Sequence, residues 1–469
     1  MIAIIGAGLA GLSTAYHLKD TEYAVFEKEE EAGGLCRSVK RDGFTFDYTG
    51  HFLHTRHPYA EKLAEEILPE GFNRIQRRAF IYLQGRYIPY PFQAHTYSLP
   101  QDMRKECVMG FIDAQNQKKS PPENFLDWIN QTFGEGMAKY FFIPYNEKFW
   151  KMNLRELTPE WTSWSIPQPT MEEVLKGAAG FRYEQMGYNP SFLYPKRGGI
   201  ELFAKAFLPQ VRNITFRKPV KAISMKDKRL FFESGEEAAY STLISTCPLP
   251  RLLGLIEDLP QDFKKAGKQL RYLSVFNLNL GIARDRVSDS HWIYFPEKEF
   301  PFYRVGFFSN FSYALSPPGT SSLYVEITHL PTEMRSTENL PQERPALRKA
   351  SGGGPPALRP AVLCRGEPKC SPSITDYGLR NDVVVKETIK GLIDCGILKR
   401  SDELVTALVI PIPYAYVMYD KFRKENLPAI LRFLRNEGIY SIGRYGAWEY
   451  STMEGAILQG KWVAEKLNR

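Results

Sequence analysis

The first forty residues alternate between short apolar runs and a glycine-rich turn. Ile2–Ile5 is a continuous apolar run, which is typical of a strand buried on both faces of a parallel sheet. The small and apolar residues of Leu9–Leu18 predict a helix, and the apolar run Tyr23–Phe26 predicts a second strand. The order of strand, helix and strand predicts a βαβ unit at the start of the chain.

Other patterns follow along the chain. They predict strands at 44–46, 80–83, 86–92 and 438–442 and within 213–245 and 272–326, helices within 122–176 and at 383–398 and 453–467, and a loop at 443–448. Residues 331–376 are rich in Pro, Gly and Arg, repeat Pro-Ala-Leu-Arg and lack apolar periodicity. That composition predicts an irregular or disordered insertion, and a locally shifted reading frame is the alternative interpretation.

The turn between the first strand and helix has the spacing G-x-G-x-x-G at Gly6, Gly8 and Gly11. Gly6 suits the tight turn, Gly8 lets the backbone approach a pyrophosphate, and Gly11 lets the helix pack closely on the strand. The helix N-terminus offers N–H groups and a positive dipole end to phosphates. Glu27 follows the second strand and suits ribose hydroxyls, which favours an adenosine without a 2′-phosphate. The unit therefore predicts dinucleotide binding.

A second glycine pair extends this fingerprint. Gly33 and Gly34 precede Leu35, Cys36 and the basic Arg37. The extension resembles the FAD-binding segment of the flavoprotein group that holds amine oxidases, protoporphyrinogen oxidases and UDP-galactopyranose mutases. The resemblance implies FAD as the cofactor, with Gly34 and Arg37 among the residues that bind it.

Composition narrows the class of protein. The 469 residues suffice for two or three domains, and the net charge of +8 indicates a solvated basic surface, with anionic substrates as an alternative. No dense Lys/Arg run indicates nucleic-acid binding. The six cysteines are scattered without a C-x-x-C or a histidine cluster, so we expect reduced thiols and no metal site. The sequence shows no signal peptide and no membrane span, which predicts a cytoplasmic protein. Nothing indicates an oligomeric state.

Seven further motifs occur in order along the chain. They are Gly50-His51, Tyr87–Gln93, Pro144–Trp150, Trp292–Glu297, Phe302–Arg304, Ser309-Asn310 and Gly443–Tyr450. As a set they resemble the UDP-galactopyranose mutases, in particular the eukaryotic-type branch, within the FAD-dependent amine oxidase and protoporphyrinogen oxidase superfamily. The match covers most of the chain outside Pro331–Asp376. It implies an enzyme in which reduced FAD acts on a nucleotide sugar.

The resemblance also implies roles for particular residues. It assigns His51 and Arg304 to catalysis, Tyr294 and Tyr450 to substrate binding, and Gly50, Gly443, Arg444 and Met453 to FAD. An arginine suits a site shared by flavin and diphosphate, because its guanidinium is always charged and forms forked hydrogen bonds. Ordinary structural roles are the alternatives: a hydrogen-bonded loop histidine, a strand-end salt bridge for Arg304, and simple packing for the tyrosines.

Four positions depart from the family pattern on the substrate side. The second diphosphate arginine falls on Ser165, the tyrosine before the Pro-x-Pro motif on Ile410, and a further tyrosine on Phe311. The loop before the last helix is shortened to Ser451-Thr452. Each missing charge-assisted contact weakens diphosphate binding by roughly 1.5 to 3 kcal/mol.

The predicted fold class is α/β: an FAD-binding, Rossmann-like doubly wound domain with a helical insert and a mixed β-sheet substrate domain. We expect the FAD-binding domain at 1–80, 186–271 and 437–469, the substrate domain at 81–92 and 272–326 with a return through it at 377–436, the helical insert at 93–185, and the irregular insertion at 331–376.

Three functions fit these patterns. The first is a mutase-like FAD enzyme that acts on a nucleotide sugar or a related glycan precursor through reduced flavin. The second is an FAD-dependent oxidase or dehydrogenase of the amine oxidase or protoporphyrinogen oxidase type, which removes hydride from a less charged substrate such as an amine or a tetrapyrrole. The third is a flavin-binding protein without activity. In the first two the partner is a small molecule.

Overall fold

The computed structural model describes residues 1–19, 21–183, 186–187, 189–331 and 379–468. Apart from Pro331, the predicted insertion at 331–376 lies outside the described residues. The fold is mixed α/β, as predicted, with one parallel and one mixed sheet as its two largest sheets. In the described part of the chain, no helix combines the length and the apolar character needed to cross a membrane.

The strands are β1 Ile2–Ile5, β2 Tyr23–Phe26, β3 Ser38–Arg41, β4 Phe44–Asp47, β5 Phe72–Gln76, β6 Ala79–Leu83, β7 Arg86–Pro89, β8 Ser191–Pro195, β9 Ile214–Thr215, β10 Val220–Ser224, β11 Arg229–Phe232, β12 Glu237–Ala239, β13 Thr242–Ser245, β14 Tyr272–Ile282, β15 Trp292–Tyr294, β16 Arg304–Phe307, β17 Ser321–His329, β18 Leu404–Val417 and β19 Ile439–Ser441.

The helices are α1 Leu9–His17, α2 Pro58–Ile67, α3 Gln101–Asn116, α4 Phe125–Met137, α5 Ile143–Trp150, α6 Thr162–Ser165, α7 Met171–Ala178, α8 Glu201–Lys205, α9 Leu249–Leu255, α10 Gln261–Gln269, α11 Leu379–Asp394, α12 Lys421–Asn436, α13 Gly443–Gly446 and α14 Met453–Leu467.

The parallel sheet has the strand order β19-β13-β1-β2-β9. Its strands are short and mostly apolar, and β1 is buried along its whole length because both faces of the sheet are covered. Helix α1 packs against α14, where Ser13 Oγ donates to the carbonyl of Ile457 at 2.7 Å. The predicted βαβ unit at the start of the chain is confirmed, and the C-terminal helix joins it.

The mixed sheet has the strand order β18-β14-β17-β16-β15-β6-β7. One face is apolar and packs against Val385 and Leu392 of α11; it carries residues such as Leu278, Ile293, Val305 and Val325. The opposite face carries polar and aromatic side chains from the same strands, as the alternation of a strand requires. This second face bears the candidate site.

Helices α3 to α7 form the helical part of the chain, which lies between strands β7 and β8 in sequence. Phe133 and Phe142 stack there with ring centroids 3.9 Å apart. Lys148 on α5 donates to the carbonyl oxygens of Phe295 at 2.8 Å and Phe302 at 3.1 Å. The ammonium group thus connects the helices to the segment between β15 and β16.

Three predicted boundaries were wrong. The predicted loop at 443–448 begins with the short helix α13, because Gly443 adopts φ +77° directly after β19 and the chain then turns helically. The helix predicted at 383–398 is observed as α11, Leu379–Asp394. It ends before Gly396, whose φ of +78° is typical of a residue that terminates a helix. Strand β7 ends at Pro89 because Pro91 has no N–H to extend the hairpin.

Candidate functional site

The glycine-rich turn lies at the carboxyl end of β1. Gly6 has φ +98°, and a Cβ on Gly11 would lie 2.0 Å from the carbonyl oxygen of Gly6, so only glycine permits this approach of α1 to the strand. A Cβ on Gly8 would instead meet only the Cα of Gly34, at 3.8 Å. The protein itself therefore does not require glycine at position 8, and the space beside it suits a ligand.

Glu27 and the second glycine pair, Gly33-Gly34, lie beside the glycine-rich turn, and together these residues form a cradle. The Glu27 carboxylate is buried and accepts hydrogen bonds from the N–H of Ala7 at 2.6 Å and of Glu29 at 2.9 Å. Arg37 Nε donates to the carbonyl of Gly34 at 2.8 Å. The structure thus brings the residues predicted for the adenosine and pyrophosphate end to one edge of the parallel sheet.

The predicted Gly50-His51 loop leaves β4. The N–H of His51 donates to the carbonyl of Thr49 at 2.8 Å, and Thr49 Oγ1 lies 3.1 Å from His51 Nδ1. Thr49 has φ +131°, which strains a β-branched residue. Burial, together with the cations Arg444 and Arg304, lowers the pKa of His51 to about 3, so the imidazole is neutral near pH 7.

A polar row crosses the mixed sheet. The residues in register are Tyr294 on β15, Arg304 on β16, Glu326 on β17, Asn277 on β14 and Ile410 on β18. Arg304 donates from Nε and Nη2 to the two carboxylate oxygens of Glu326, with Nη2 to Oε1 at 2.7 Å. Burial alone would lower the pKa of Arg304, but the Glu326 carboxylate and nearby tyrosines raise it. The strand-end salt bridge considered for Arg304 therefore exists, and its carboxylate is buried.

Arg444 is a second cation in this region and is partly buried. It donates to the carbonyls of Ser451 at 2.7 Å and Ala415 at 3.1 Å, and its guanidinium lies 4.7 Å from the ring centroid of Tyr450 and 5.1 Å from that of Tyr416. Within the described ranges, no carboxylate forms an ion pair with it and its buried Nε has no hydrogen-bond partner. A partly buried cation without a carboxylate partner suits an anionic ligand.

The predicted substrate tyrosines belong to a cluster of aromatic residues. Tyr450 packs on Tyr416 with ring centroids 6.2 Å apart, and the hydroxyls of Tyr416 and Tyr303 are 3.3 Å apart. Tyr294 contacts the rings of Tyr90 and Tyr145, with ring centroids 5.4 and 5.6 Å away. Burial raises the pKa of Tyr294, so its hydroxyl stays protonated. The cluster connects Arg304 with Arg444.

The start of α14 borders the same site. Thr452 caps the helix by accepting a hydrogen bond from the N–H of Gly455 at 3.0 Å, and Met453 is the first helical residue. Glu454 accepts hydrogen bonds from the N–H groups of Arg56 and His57, each at 2.7 Å. The N–H of Gly443 donates to Gln459 of the same helix at 2.6 Å. Helix α14 therefore holds both α13 and the segment that follows His51.

The positions that depart from the family pattern have other partners here. Ser165 donates from Oγ to the carbonyl of Trp161 at 2.8 Å. Ile410 ends the polar row with an apolar side chain, and Phe311 packs in an aromatic group with Phe192 at 5.5 Å. Ser451 contributes its carbonyl to Arg444. None of these four contacts supplies a charged diphosphate ligand.

Sequence reasoning missed Glu326, Tyr324 and Tyr416. A signal was present for the first two: in Leu-Tyr-Val-Glu-Ile-Thr, residues 323–328, polar side chains alternate with apolar ones in an otherwise buried strand. Such alternation indicates that one face of the strand meets a polar environment.

Three comparisons relate the chain to known proteins. The sequence profile of the flavin-containing amine oxidoreductases matches residues 9–350. The fold is similar to the crystal structure of reduced UDP-galactopyranose mutase, with a TM-score of 0.85 and 26% identity over 99% of this chain and 95% of that chain. The 1-hydroxycarotenoid 3,4-desaturase of Flavobacterium sp. (strain P99-3) is 23% identical over 364 residues, 69% of this chain and 71% of the relative. Protoporphyrinogen oxidase 2 of Arabidopsis thaliana is 24% identical over 158 residues, 31% of each chain.

Proposed function

The chain belongs to the flavin-containing amine oxidoreductase family, and we propose that it is an FAD-dependent enzyme of the UDP-galactopyranose mutase type. In this proposal it acts on a nucleotide sugar or a related glycan precursor through reduced flavin. The observation that carries the proposal is the likeness to reduced UDP-galactopyranose mutase, which extends over nearly the whole of both chains. The parallel sheet is then the FAD-binding domain, and the polar face of the mixed sheet is the floor of the substrate site.

The residues of the cradle fit FAD. The open space beside Gly8 and the N-terminus of α1 suit the pyrophosphate, and the free lone pairs of the Glu27 carboxylate suit ribose hydroxyls. Arg444, with its unpartnered Nε, suits the negative charge of a reduced flavin. Met453 and Glu454 present backbone N–H groups at the start of α14, which stabilise negative charge at that end of the flavin.

When bound, reduced FAD would supply the nucleophile that attacks the sugar carbon. Around it, the neutral His51 side chain orients the flavin without adding charge. Arg304 has two nitrogens on Glu326, and its Nη1, which makes no hydrogen bond in the described part of the chain, would be available to a ligand. Tyr294 and Tyr450 supply hydroxyls and ring faces for the substrate, and the aromatic cluster excludes water.

A second candidate is an FAD-dependent oxidase or dehydrogenase acting on a less charged substrate. The buried carboxylate of Glu326 offsets the charge of Arg304, Ser165 and Ile410 add no cation, and the Ser165 hydroxyl is already bonded to the carbonyl of Trp161. With Arg444 assigned to the flavin, the substrate side has little free positive charge, which favours an amine or a tetrapyrrole over a diphosphate.

One experiment separates the two candidates. The enzyme is reduced with dithionite under anaerobic conditions and mixed with UDP-galactopyranose and other UDP-sugars, and the oxidised enzyme is mixed with amines and porphyrinogens. Turnover of a UDP-sugar by the reduced enzyme alone supports the mutase. Bleaching of oxidised flavin by an amine or a porphyrinogen, with no UDP-sugar turnover, overturns it in favour of the oxidase. Arg304→Lys should lose activity in either case, whereas Arg229→Lys, at a surface pair with Glu237, should retain it.

A further inference from the structure

Lys148 on α5 is a buried cation that binds three backbone carbonyls of one segment. Its Nζ donates to the carbonyl oxygens of Phe295 at 2.8 Å, of Phe302 at 3.1 Å and of Glu297. An ammonium group has three N–H donors and no acceptor, so these three bonds use its full capacity. A buried charge is tolerated only when it is hydrogen-bonded, and here the segment between β15 and β16 supplies a complete set of acceptors.

The segment that Lys148 holds joins two residues of the candidate site. Tyr294 ends β15 directly before this segment, and Arg304 begins β16 at its other end. The two residues lie opposite each other in register, and just beyond them the N–H of Phe295 donates to the carbonyl of Tyr303 at 2.9 Å. The Lys148 ammonium therefore binds the hairpin of β15 and β16 next to these two side chains.

Helix α5 contacts the same part of the sheet in two further ways. The carbonyl of Lys148 accepts a hydrogen bond at 3.3 Å from the hydroxyl of Thr328, which lies on β17 two residues after Glu326. Tyr145, three residues earlier on the helix, has its ring centroid 5.6 Å from that of Tyr294. Lys148 thus connects the helical part of the chain both to β17 and to the hairpin of β15 and β16, at the strands that form the centre of the polar row.

We propose that Lys148 is a positioning residue, which fixes Tyr294 and Arg304 relative to each other and to the helices. The inference rests on the proposed function in so far as that function places a substrate on the polar row. Without the ammonium, the segment between the two residues loses three hydrogen bonds at one point. A misplacement of about 1 Å in groups that hold a substrate can cost about 100-fold in rate. A purely structural lysine would lower stability and leave the kinetic constants of the folded protein unchanged.

The test compares Lys148→Met with wild type at pH 6. Burial lowers the pKa of Lys148 to about 7, so at pH 6 the wild-type side chain is an ammonium with all three donors. Methionine keeps an unbranched stem and has no donor. In hydrogen exchange followed by mass spectrometry, peptides from 292–304 should exchange faster in the variant, and peptides from the parallel sheet should not change.

The kinetic arm uses the reduced enzyme with UDP-galactopyranose, or the oxidised enzyme with an amine or a porphyrinogen that bleaches its flavin. In Lys148→Met, kcat/KM should fall about 10- to 100-fold, and FAD affinity should stay at the wild-type value. The matched control is Lys228→Met. Lys228 also donates from Nζ to a carbonyl, that of Glu437 at 2.6 Å, but it lies in the turn between β10 and β11, outside the mixed sheet. This control should keep wild-type exchange at 292–304 and wild-type kcat/KM.

A second variant, Lys148→Ala, tests the ammonium group directly and serves if the methionine variant does not fold. Alanine leaves the space of three carbons and the nitrogen, so propylammonium, added from expression onward, should restore slow exchange at 292–304 and raise kcat/KM. Propanol has the same chain length but carries no charge and a single donor, and it should restore neither.

The remaining outcomes decide between the two proposals. Unchanged exchange at 292–304 in folded Lys148→Met, or a kcat/KM equal to that of Lys228→Met, would overturn the inference and leave the proposed function intact. Equal rescue of Lys148→Ala by propylammonium and propanol would also overturn it, because the volume of the stem and not the ammonium would then matter. Turnover of an amine or a porphyrinogen in place of the UDP-sugar would overturn the proposed function, and the same variants would still decide the role of Lys148. Failure of the wild-type enzyme to turn over any of these substrates would overturn both.

Discussion

Arg304 and Glu326 lie directly opposite each other on β16 and β17, and the guanidinium donates a hydrogen bond to each carboxylate oxygen. Glu326 is 0% exposed, so its charge depends on this partner. The pair holds the centre of the polar row in place, and under the proposed function it would set the charge that a substrate meets.

Removal of one charge of this pair should destabilise the protein. Glu326→Gln leaves Arg304 buried without a counter-charge and should lower the free energy of unfolding by about 3 to 5 kcal/mol. Urea denaturation of the apoprotein measures the change. The control is the double variant Arg304→Met/Glu326→Leu, which removes both charges and should recover most of the loss. A double variant no more stable than Glu326→Gln would contradict this account of the pair.

His51 should make the protein less stable as the pH falls. The pKa of His51 is lowered to about 3, mainly by burial, whereas an unfolded histidine has a pKa of 6.5. Below pH 6.5 the unfolded state therefore binds a proton that the native state does not, and stability falls with pH between about 6.5 and 3. His51→Gln should make the decline of melting temperature over this range shallower. A slope equal to that of wild type in His51→Gln would show that His51 takes up its proton equally in the native and unfolded states.

The local part of this fold could be predicted from sequence because its signals are local. The βαβ unit and the hairpin of β6 and β7 depend on apolar runs and on turns of a few residues, and both are confirmed. The partner of Arg304 could not be predicted, because Glu326 is 22 residues away and meets it only through strand register. Arg444 likewise depends on the carbonyl of Ala415, 29 residues away, on a strand of the other sheet.

The resemblance predicted site roles for His51, Arg304 and Arg444, and the structure adds which of the two arginines has a carboxylate partner. Both arginines act electrostatically on His51, so the three side chains lie near one another. Whether a buried arginine is free or paired depends on tertiary contacts that no motif records. Glu326 is therefore the missed residue that matters most for the charge of the polar row.

Asp47, the last residue of β4, should have the opposite effect from His51 and make the protein less stable as the pH rises. It accepts hydrogen bonds from Ser38 and Tyr194, each at 2.6 Å, yet burial raises its pKa to about 7 from an ordinary value of 3.8. Between pH 4 and 7 the native state holds a proton that the unfolded state has lost, so the contribution of Asp47 to stability declines as the pH rises. Asp47→Asn cannot ionise, and its stability relative to wild type should improve from pH 4 to 8.

The control for Asp47 is Gln210→Ala at an exposed position, which changes no ionisable group, so its stability difference from wild type should stay constant with pH. Chemical denaturation at several pH values measures both. A constant difference for Asp47→Asn as well would show that the carboxyl group stays ionised in the native state.

Thr49 should store strain in the His51 loop. Its φ of +131° suits glycine, and strain at such a position costs about 1 to 3 kcal/mol. Thr49→Gly and Thr49→Ala both remove the hydroxyl near His51 Nδ1, but only glycine also removes the strain. After the entropic cost of glycine, Thr49→Gly should be more stable than Thr49→Ala by about 1 kcal/mol. Equal stabilities in urea would show that the loop relaxes around any side chain.

Substitutions at Ser165 and Ile410 should restore the diphosphate ligands that the family pattern has at these positions. Ser165 donates only to a local carbonyl, and Ile410 ends the polar row beside Asn277 with no polar group of its own. In Ser165→Arg/Ile410→Tyr, a guanidinium and a phenol return at the positions where the family pattern has them. Each charge-assisted hydrogen bond to phosphate contributes about 1.5 to 3 kcal/mol, so UDP should bind the reduced enzyme at least about tenfold more tightly.

Titration of UDP into the reduced protein measures this gain, and Ser234→Arg, which adds a cation at an exposed turn, is the control for net charge. A gain in the double variant but not in the control shows that the two positions face the diphosphate and that the wild-type site has lost affinity for it. If a folded double variant binds UDP no better than wild type, these positions do not reach the substrate. The resemblance in this half of the site is then one of fold and not of binding chemistry, and the oxidase becomes the better account of the enzyme.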